Sequence, residues 1–249
     1  MIRLHRLALP PELAEQLRGR TKRLREKQAG GSAARADWKS AKNIRVQLTI
    51  RLTEMATGIR RCMYCGDGLG TDIDHFEPLT EAPLRAFDWP NHLLACSHCN
   101  SHQKRELFPR DEDGAPLLVD PSAEDPYEHL ELVLSTGVYE ALTQRGDATI
   151  EVFGLNRADL VRGRASAFVR TVSMLRDRSR LLHARDGEEA AEIVASLRDQ
   201  PFADVLYAML RYRTLPGAHL VLRGREVVDA LEDPALHFWP LASEFEPSR

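Results

Sequence analysis

Four cysteines stand in two pairs, Cys62/Cys65 and Cys96/Cys99, with two residues inside each pair and thirty between the pairs. Two thiolates spaced this way on a tight turn can reach one ion, and two such turns complete a tetrahedron. Zn²⁺ suits four thiolates, being borderline-soft and without a d-electron geometry to violate. The chain has no other cysteine, and paired spacing of this kind reads as a structural zinc site before it reads as disulfides. A redox use would want a βαβ setting that the pattern lacks, and Asn100 rather than histidine follows Cys99, which excludes haem attachment there. Gly66 can take the positive φ that a knuckle turn demands. Gly66, Gly68 and Gly70 read as a hairpin turn rather than a phosphate loop, since no strand-to-helix context surrounds them. Thirty residues is a long insertion for a plain zinc ribbon. It carries groups that handle protons and hard cations: Asp72-Ile73-Asp74-His75-Phe76-Glu77-Pro78, then Asp88-Trp89-Pro90-Asn91-His92-Leu93-Leu94.

Directly after the second pair comes Asn100-Ser101-His102-Gln103-Lys104-Arg105. An Asp-His step, an Asn sixteen residues on, and Cys-x-x-Cys-Asn leading into a lysine-bearing helix resemble the HNH endonuclease family. That resemblance implies a ββα-metal fold, two short strands and a helix around one divalent cation. It implies His75 as the general base, since a neutral imidazole suits removal of a proton from water near pH 7. It implies a hard cation, Mg²⁺ or Mn²⁺, on the carboxylate of Asp74 and the amide oxygen of Asn100, acting as Lewis acid on the phosphate. Asn100 stands where the family often has His, and His98 and His102 are close enough in sequence to substitute for it. Asn91 corresponds to the family's middle Asn, which braces the loop that orients the base, and Lys104 to a phosphate contact from the helix. Asp72 and Glu77 read as supporting or exposed carboxylates. Neighbours on a regular strand face opposite sides, so Asp74 and His75 can serve one phosphate only if the strand bends. The zinc knuckles would clamp strand and helix together and so fix the base relative to the metal ligands.

The elements that must position these groups follow from periodicity. Residues 10–29 read as a helix opened by Pro10-Pro11, with Leu13, Leu17 and Leu24 on one face and Gly30-Gly31 as its stop. Residues 35–57 read as one further helix with the apolar stripe Trp38, Ala41, Ile44, Leu48, Leu52 and Met55. Helical periodicity then disappears until about Asn100. Residues 129–134 and 138–142 read as a hairpin turned at Ser135-Thr136-Gly137, and Thr149 to Phe153 as a further strand. Asn156 reads as the cap of a long helix to about Arg185, with helices over about 187–199 and 202–213 beyond it. From Leu215 onward the pattern is too mixed to assign. The expectation is an α+β fold: a zinc-held ββα core over 59–110, a basic helical region over 1–58, and a hairpin with a mainly helical region over 111–249, open to partner docking.

Phrases flanking the core extend the resemblance. Trp38, Phe87-Asp88-Trp89-Pro90-Asn91, Leu107-Phe108-Pro109, Asp120-Pro121, Asp125-Pro126 and Val152-Phe153-Gly154-Leu155-Asn156-Arg157 resemble the HNH nucleases of bacterial Septu and retron anti-phage defence systems. His92 departs from that pattern, where an aliphatic residue is expected after Asn91. The resemblance implies a partner ATPase of the ABC or SMC-like type, since this sequence carries no nucleotide-binding motif of its own.

Bulk properties agree with a globular protein: 43% hydrophobic and 29% charged residues over 249 positions. No apolar run is long enough for a membrane span and no signal peptide is evident, so the expected compartment is the cytoplasm. The net charge of −3 conceals an asymmetry. Residues 1–61 carry 15 Lys/Arg against 5 Asp/Glu, residues 62–161 carry 6 against 19, and the rest is balanced. A basic segment beside an acidic, metal-bearing one suits cleavage of a polyanion, although a basic run also fits a plain solvated helix face. The nuclease reading that the resemblance implies expects DNA first and RNA second. Two other readings fit less of the motif: a non-catalytic zinc-ribbon protein that binds nucleic acid through residues 1–61, and an adaptor that docks a partner on its acidic middle.

Overall fold

Proline at the first helical position, where an N–H would go unpaired in any case, opens α1 (Pro11–Glu26), which buries Leu13, Leu17 and Leu24. The computed structural model describes residues 1–239, so the last ten residues of the 111–249 region lie outside the described residues. The stretch expected as one helix over 35–57 is two, α2 (Gly31–Ser40) and α3 (Lys42–Met55), broken at Ala41, whose ψ of 49° leaves the helical region. The reason is packing. The face of α2 meets the 3₁₀ turn Pro83–Phe87 while α3 meets strand β2 (His92–Ala95), two targets that one straight rod does not reach. Gly31 opens α2 rather than only ending α1: a Cβ there would stand 2.7 Å from the Leu79 carbonyl oxygen.

β1 (Asp72–His75) pairs antiparallel with β2, with Asp74 opposite Leu93 and His75 opposite His92. A π-helical segment, His98–Lys104, follows β2 directly. The expected hairpin is present as β3 (Leu130–Val133) and β4 (Val138–Ala141). The strand expected over Thr149 to Phe153 is instead the second half of α4 (Gln144–Phe153). Its run of β-branched residues is overruled by strong ends: the Thr143 hydroxyl caps the Gly146 N–H, and Gly154 stops the helix at φ 56°. Asn156 does not cap the long helix α5 (Ala158–His183). Its amide is used on both sides, Oδ1 accepting from Tyr139 N and Nδ2 donating to Tyr139 O, which ties α5 to β4, and Arg157 takes the cap position with no side-chain bond. Among the described residues, the α-helices that follow are α6 (Gly187–Asp199), α7 (Ala203–Tyr212), α8 (Ala218–Val221) and α9 (Arg225–Leu231).

The result, among the described residues, is an α+β architecture with two small antiparallel sheets. Two apolar clusters fill it. One gathers Leu13, Leu17, Leu24, Trp38, Ile44, Leu48 and Phe87 under the first three helices. The other runs without a break from Met1 through the four cysteines and β2 to Leu236. Ile73 and Trp89 touch both, so β1 lies on the seam. Among the described residues, no helix is long and apolar enough to cross a membrane.

Candidate functional site

The first knuckle is stapled to its own turn and to β2. Cys62 N donates to Gly68 O (2.8 Å), Met63 N to Leu94 O (2.8 Å), and Gly66, at φ 70°, lets its N–H reach Cys62 O (2.9 Å). Gly68 is pressed against the second pair, where a Cβ would lie 3.1 Å from Cys96 Sγ. All four thiols are buried and their sulfurs lie within 4.8 Å of one another, with Cys65 and Cys96 at 3.9 Å. A tetrahedral ion with Zn–S bonds of about 2.3 Å sets its sulfurs roughly 3.8 Å apart, so the cradle fits Zn²⁺. The thiols also perturb one another. Hydrogen bonding to Cys62 pulls Cys65 and Cys96 down, burial pushes Cys62 up, and the thiol contact with Cys62 pushes Cys99 up. A divalent cation at the centre is what allows all four to be thiolates together. The Arg157 guanidinium faces Cys65 and Cys99 and adds positive charge to that end of the cradle.

β1 keeps its regular alternation and presents two different faces. Asp74 points to the knuckle side, buried, with both carboxylate oxygens engaged: Tyr64 Oη donates to Oδ2 (2.5 Å) and Lys104 Nζ to Oδ1 (3.1 Å). Lys104 is fully buried and also donates to the His75 carbonyl oxygen (2.7 Å), so its ammonium joins the π-helical segment to the strand. Burial raises the Asp74 carboxyl above its ordinary value against the opposing pull of Lys104 and Tyr64. Tyr64 itself stacks on Phe153, centroids 3.9 Å apart.

His75 points the other way, toward α2. Its ring meets Trp38 edge-on at 4.7 Å, and Trp38 in turn stacks on His92 at 4.9 Å. The two histidines are cross-strand partners whose Nε2 atoms both reach Ala86 O, at 3.1 Å for His75 and 3.0 Å for His92. A carbonyl only accepts, so a neutral ring bonded there carries its proton on Nε2 and leaves Nδ1 as a lone pair. Burial lowers His75 to about 4, the Ala86 bond opposing it, and lowers His92 well below its ordinary value. Both rings are therefore uncharged at neutral pH. His92 Nδ1 is buried with no partner.

Asn91 is buried and spans the loop after β1: its Oδ1 accepts from Glu77 N (2.8 Å), and its Nδ2 donates to Glu77 O (3.1 Å) and Arg85 O (3.2 Å). It thereby holds the segment that delivers Ala86 O to the two histidines. The Glu77 carboxylate is paired with Arg85 and Arg110. Asn100 follows Cys99 at the start of the π-helical segment, half-exposed, its side chain free of protein hydrogen bonds among the described residues. It lines a groove with Asp72, Trp38 and Ile73. The structure thus brings Asp74 to Lys104 and Tyr64, His75 to Ala86, His92 and Trp38, and Asn100 to Asp72. Asp74, buried on the knuckle side, is not among the residues that line the groove of Asn100. Tyr64, Ala86 and His92 were not picked out as site residues from sequence. The register that sets His92 across from His75 was the signal available for it, whereas Ala86 acts through a backbone carbonyl and leaves no residue-type signal.

Comparison with known proteins gives one curated relative. The chain is 29% identical to "Septu protein PtuB" of Bacillus mycoides (strain KBAB4) over a 136-residue alignment that takes in 42% of this chain and 46% of the relative. The chain therefore spans less than half the length of that relative. No protein-family model matches the sequence, and no solved structure does.

Proposed function

We propose that this protein is an HNH-type endonuclease hydrolysing phosphodiester bonds in DNA, the nuclease component of a Septu-like anti-phage defence system, acting with a partner ATPase. One observation carries the reading: His75 is pinned through Nε2 on Ala86 O, kept uncharged by burial, and left with an unused Nδ1 lone pair. That is the state a general base needs before it takes a proton from water. Asn91 supports it from behind by fixing the Glu77–Arg85 loop. Similarity to a Septu protein supports the defence setting, and the lack of a nucleotide-binding motif leaves ATP hydrolysis to a partner of ABC or SMC-like type.

Zn²⁺ belongs to this reading as structural, held by Cys62, Cys65, Cys96 and Cys99. A hard divalent ion, Mg²⁺ or Mn²⁺, would supply charge neutralisation on the phosphate when bound. Asn100 offers it a free amide oxygen. Asp74 fits as a ligand only if Lys104 gives up Oδ1, so no step is assigned through that carboxylate. Lys104, buried between Asp74 and His75 O, acts on this reading by fixing the strand that bears the base.

The saturation of Asp74 favours a second reading, a zinc module that binds nucleic acid or docks a partner without cutting. One assay separates the two. Purified protein is incubated with plasmid DNA and with total tRNA, with and without Mn²⁺, beside His75→Ala. The nuclease reading expects metal-dependent cleavage that falls by about 10²–10⁴-fold in the variant, with zinc content and far-UV dichroism unchanged. Equal cleavage by the variant, or none by the wild type with its ATPase partner present, sinks it.

A further inference from the structure

Three grooves on the face of α1, α2 and α3 share their walls. The first, about 700 Å³, is lined by Asn100, Asp72 and Trp38 at one end and by Lys39, Lys42 and Arg45 along its length. Lys42 also lines the second, about 530 Å³, together with Arg20 and Arg23. Arg20 and Arg23 in turn line the third, about 330 Å³, which ends at Lys27. The shared residues make one path from Asn100 to Lys27. Six cations border it against two carboxylates, Asp37, which Arg20 neutralises at 2.5 Å, and Asp72 at the Asn100 end. Among the described residues, Arg23, Lys27, Lys39, Lys42 and Arg45 have no carboxylate partner, and all five are exposed. The break at Ala41 makes the path: it turns α3 away from α2 and leaves Lys42 at the corner where two grooves meet.

We infer that this path is the track on which duplex DNA lies while a phosphate is presented at the His75 site. The inference rests on the nuclease reading for its direction. Trp38 forms the wall of the first groove and touches His75 edge-on at 4.7 Å, so the track and the histidine lie on the same side of β1. Five exposed cations without carboxylate partners are complementary to a phosphate backbone, and each phosphate contact releases condensed counterions. The duplex is favoured over a single strand because the exposed large apolar side chains flanking the track are Val46 and Ile50, and among the described residues no Phe, Tyr or Trp side chain is exposed for an unstacked base to lie on.

The test reads binding, not cleavage, so its failure and the failure of the nuclease reading are distinct. The full chain carrying His75→Ala is titrated into a fluorescein-labelled DNA duplex over a range of salt. It is compared with the same chain also carrying Arg23→Gln, Lys42→Gln and Arg45→Gln. The expected result is a slope of log affinity against log salt smaller by about three, and duplex binding at least roughly tenfold weaker at low salt, with the melting temperature kept. A control triple on the exposed side of α5, Arg162→Gln, Arg170→Gln and Arg180→Gln, removes the same charge and should leave the slope unchanged. Equal weakening by both triples, no weakening by the first, or single-stranded DNA bound as tightly as duplex each overturns the track.

Discussion

The two faces of β1 have opposite electrostatic characters. On the Asp74 side the buried charged groups answer one another: the Asp74 carboxylate is met by Tyr64 and Lys104, and the ammonium of Lys104 by Asp74 and the His75 carbonyl. On the His75 side two imidazoles share one carbonyl, and His92 Nδ1 is left with no partner. Satisfied buried networks rigidify a structure, while unsatisfied buried groups carry a free-energy cost that persists only where something requires them. A four-residue strand with period-two alternation is enough to separate the rigid face from the reactive one.

The largest expected effect probes the rigid face. The four thiols lie inside the cluster that runs from Met1 to Leu236, so removal of zinc should unfold far more than the knuckles. Structural zinc contributes on the order of 10 kcal/mol or more in small zinc domains. Cys99→Ser, or chelation under mild denaturant, should abolish the cooperative melt followed by far-UV dichroism. Unchanged melting of protein shown by metal analysis to lack zinc would break the comparison at its base.

Next in size is Lys104. Removing one partner of a buried ion pair leaves the other charge uncompensated and costs about 3–5 kcal/mol. Lys104→Met should destabilise by that order in chemical denaturation, and adding Asp74→Asn should recover much of it, because the pair then leaves together. A Lys104→Met protein as stable as wild type would mean that this ammonium faces solvent and is available to phosphate, which is the role expected for it from sequence.

What the sequence disclosed and what it did not divide along the same strand. Ligand spacing is a local property, so the cysteine cluster was readable from residue types alone, as were the hairpin at Gly137 and the helices between Ala158 and Tyr212. The strand pair between the cysteine pairs came only with the family resemblance, and the helices beyond Leu215 were left unassigned. The break at Ala41 was not, because an apolar stripe with helical spacing from Trp38 to Met55 is compatible with one rod or two. Only the separate packing targets decide between them. Thr149 to Phe153 misled for a related reason. A short β-branched run is ambiguous, and the cap at Thr143 outweighs it. The direction of Lys104 depends on a fully buried path to Asp74, thirty residues away in sequence, which spacing does not encode.

The smallest of these effects sharpens the reactive face. An exposed histidine titrates near 6.5 and His75 is held to about 4 by burial. The folded state therefore binds fewer protons than the unfolded chain between those values. Stability from the neutral ring is present in full above about pH 6.5 and is lost as pH falls toward 4, by about 3 kcal/mol for a shift of this size. His92, depressed in the same direction, steepens the loss. Urea denaturation at pH 7 and at pH 5 should show wild type weakening more than His75→Gln, whose side chain does not titrate. The same depression should place the acid limb of kcat/KM for DNA cleavage near pH 4 rather than 6.5, since that limb reports the base in the free enzyme. A limb at 6.5 together with a pH-independent stability difference between the two proteins would mean that the imidazole stands in water. The contrast between the faces of β1 would then reduce to the Asp74 side alone.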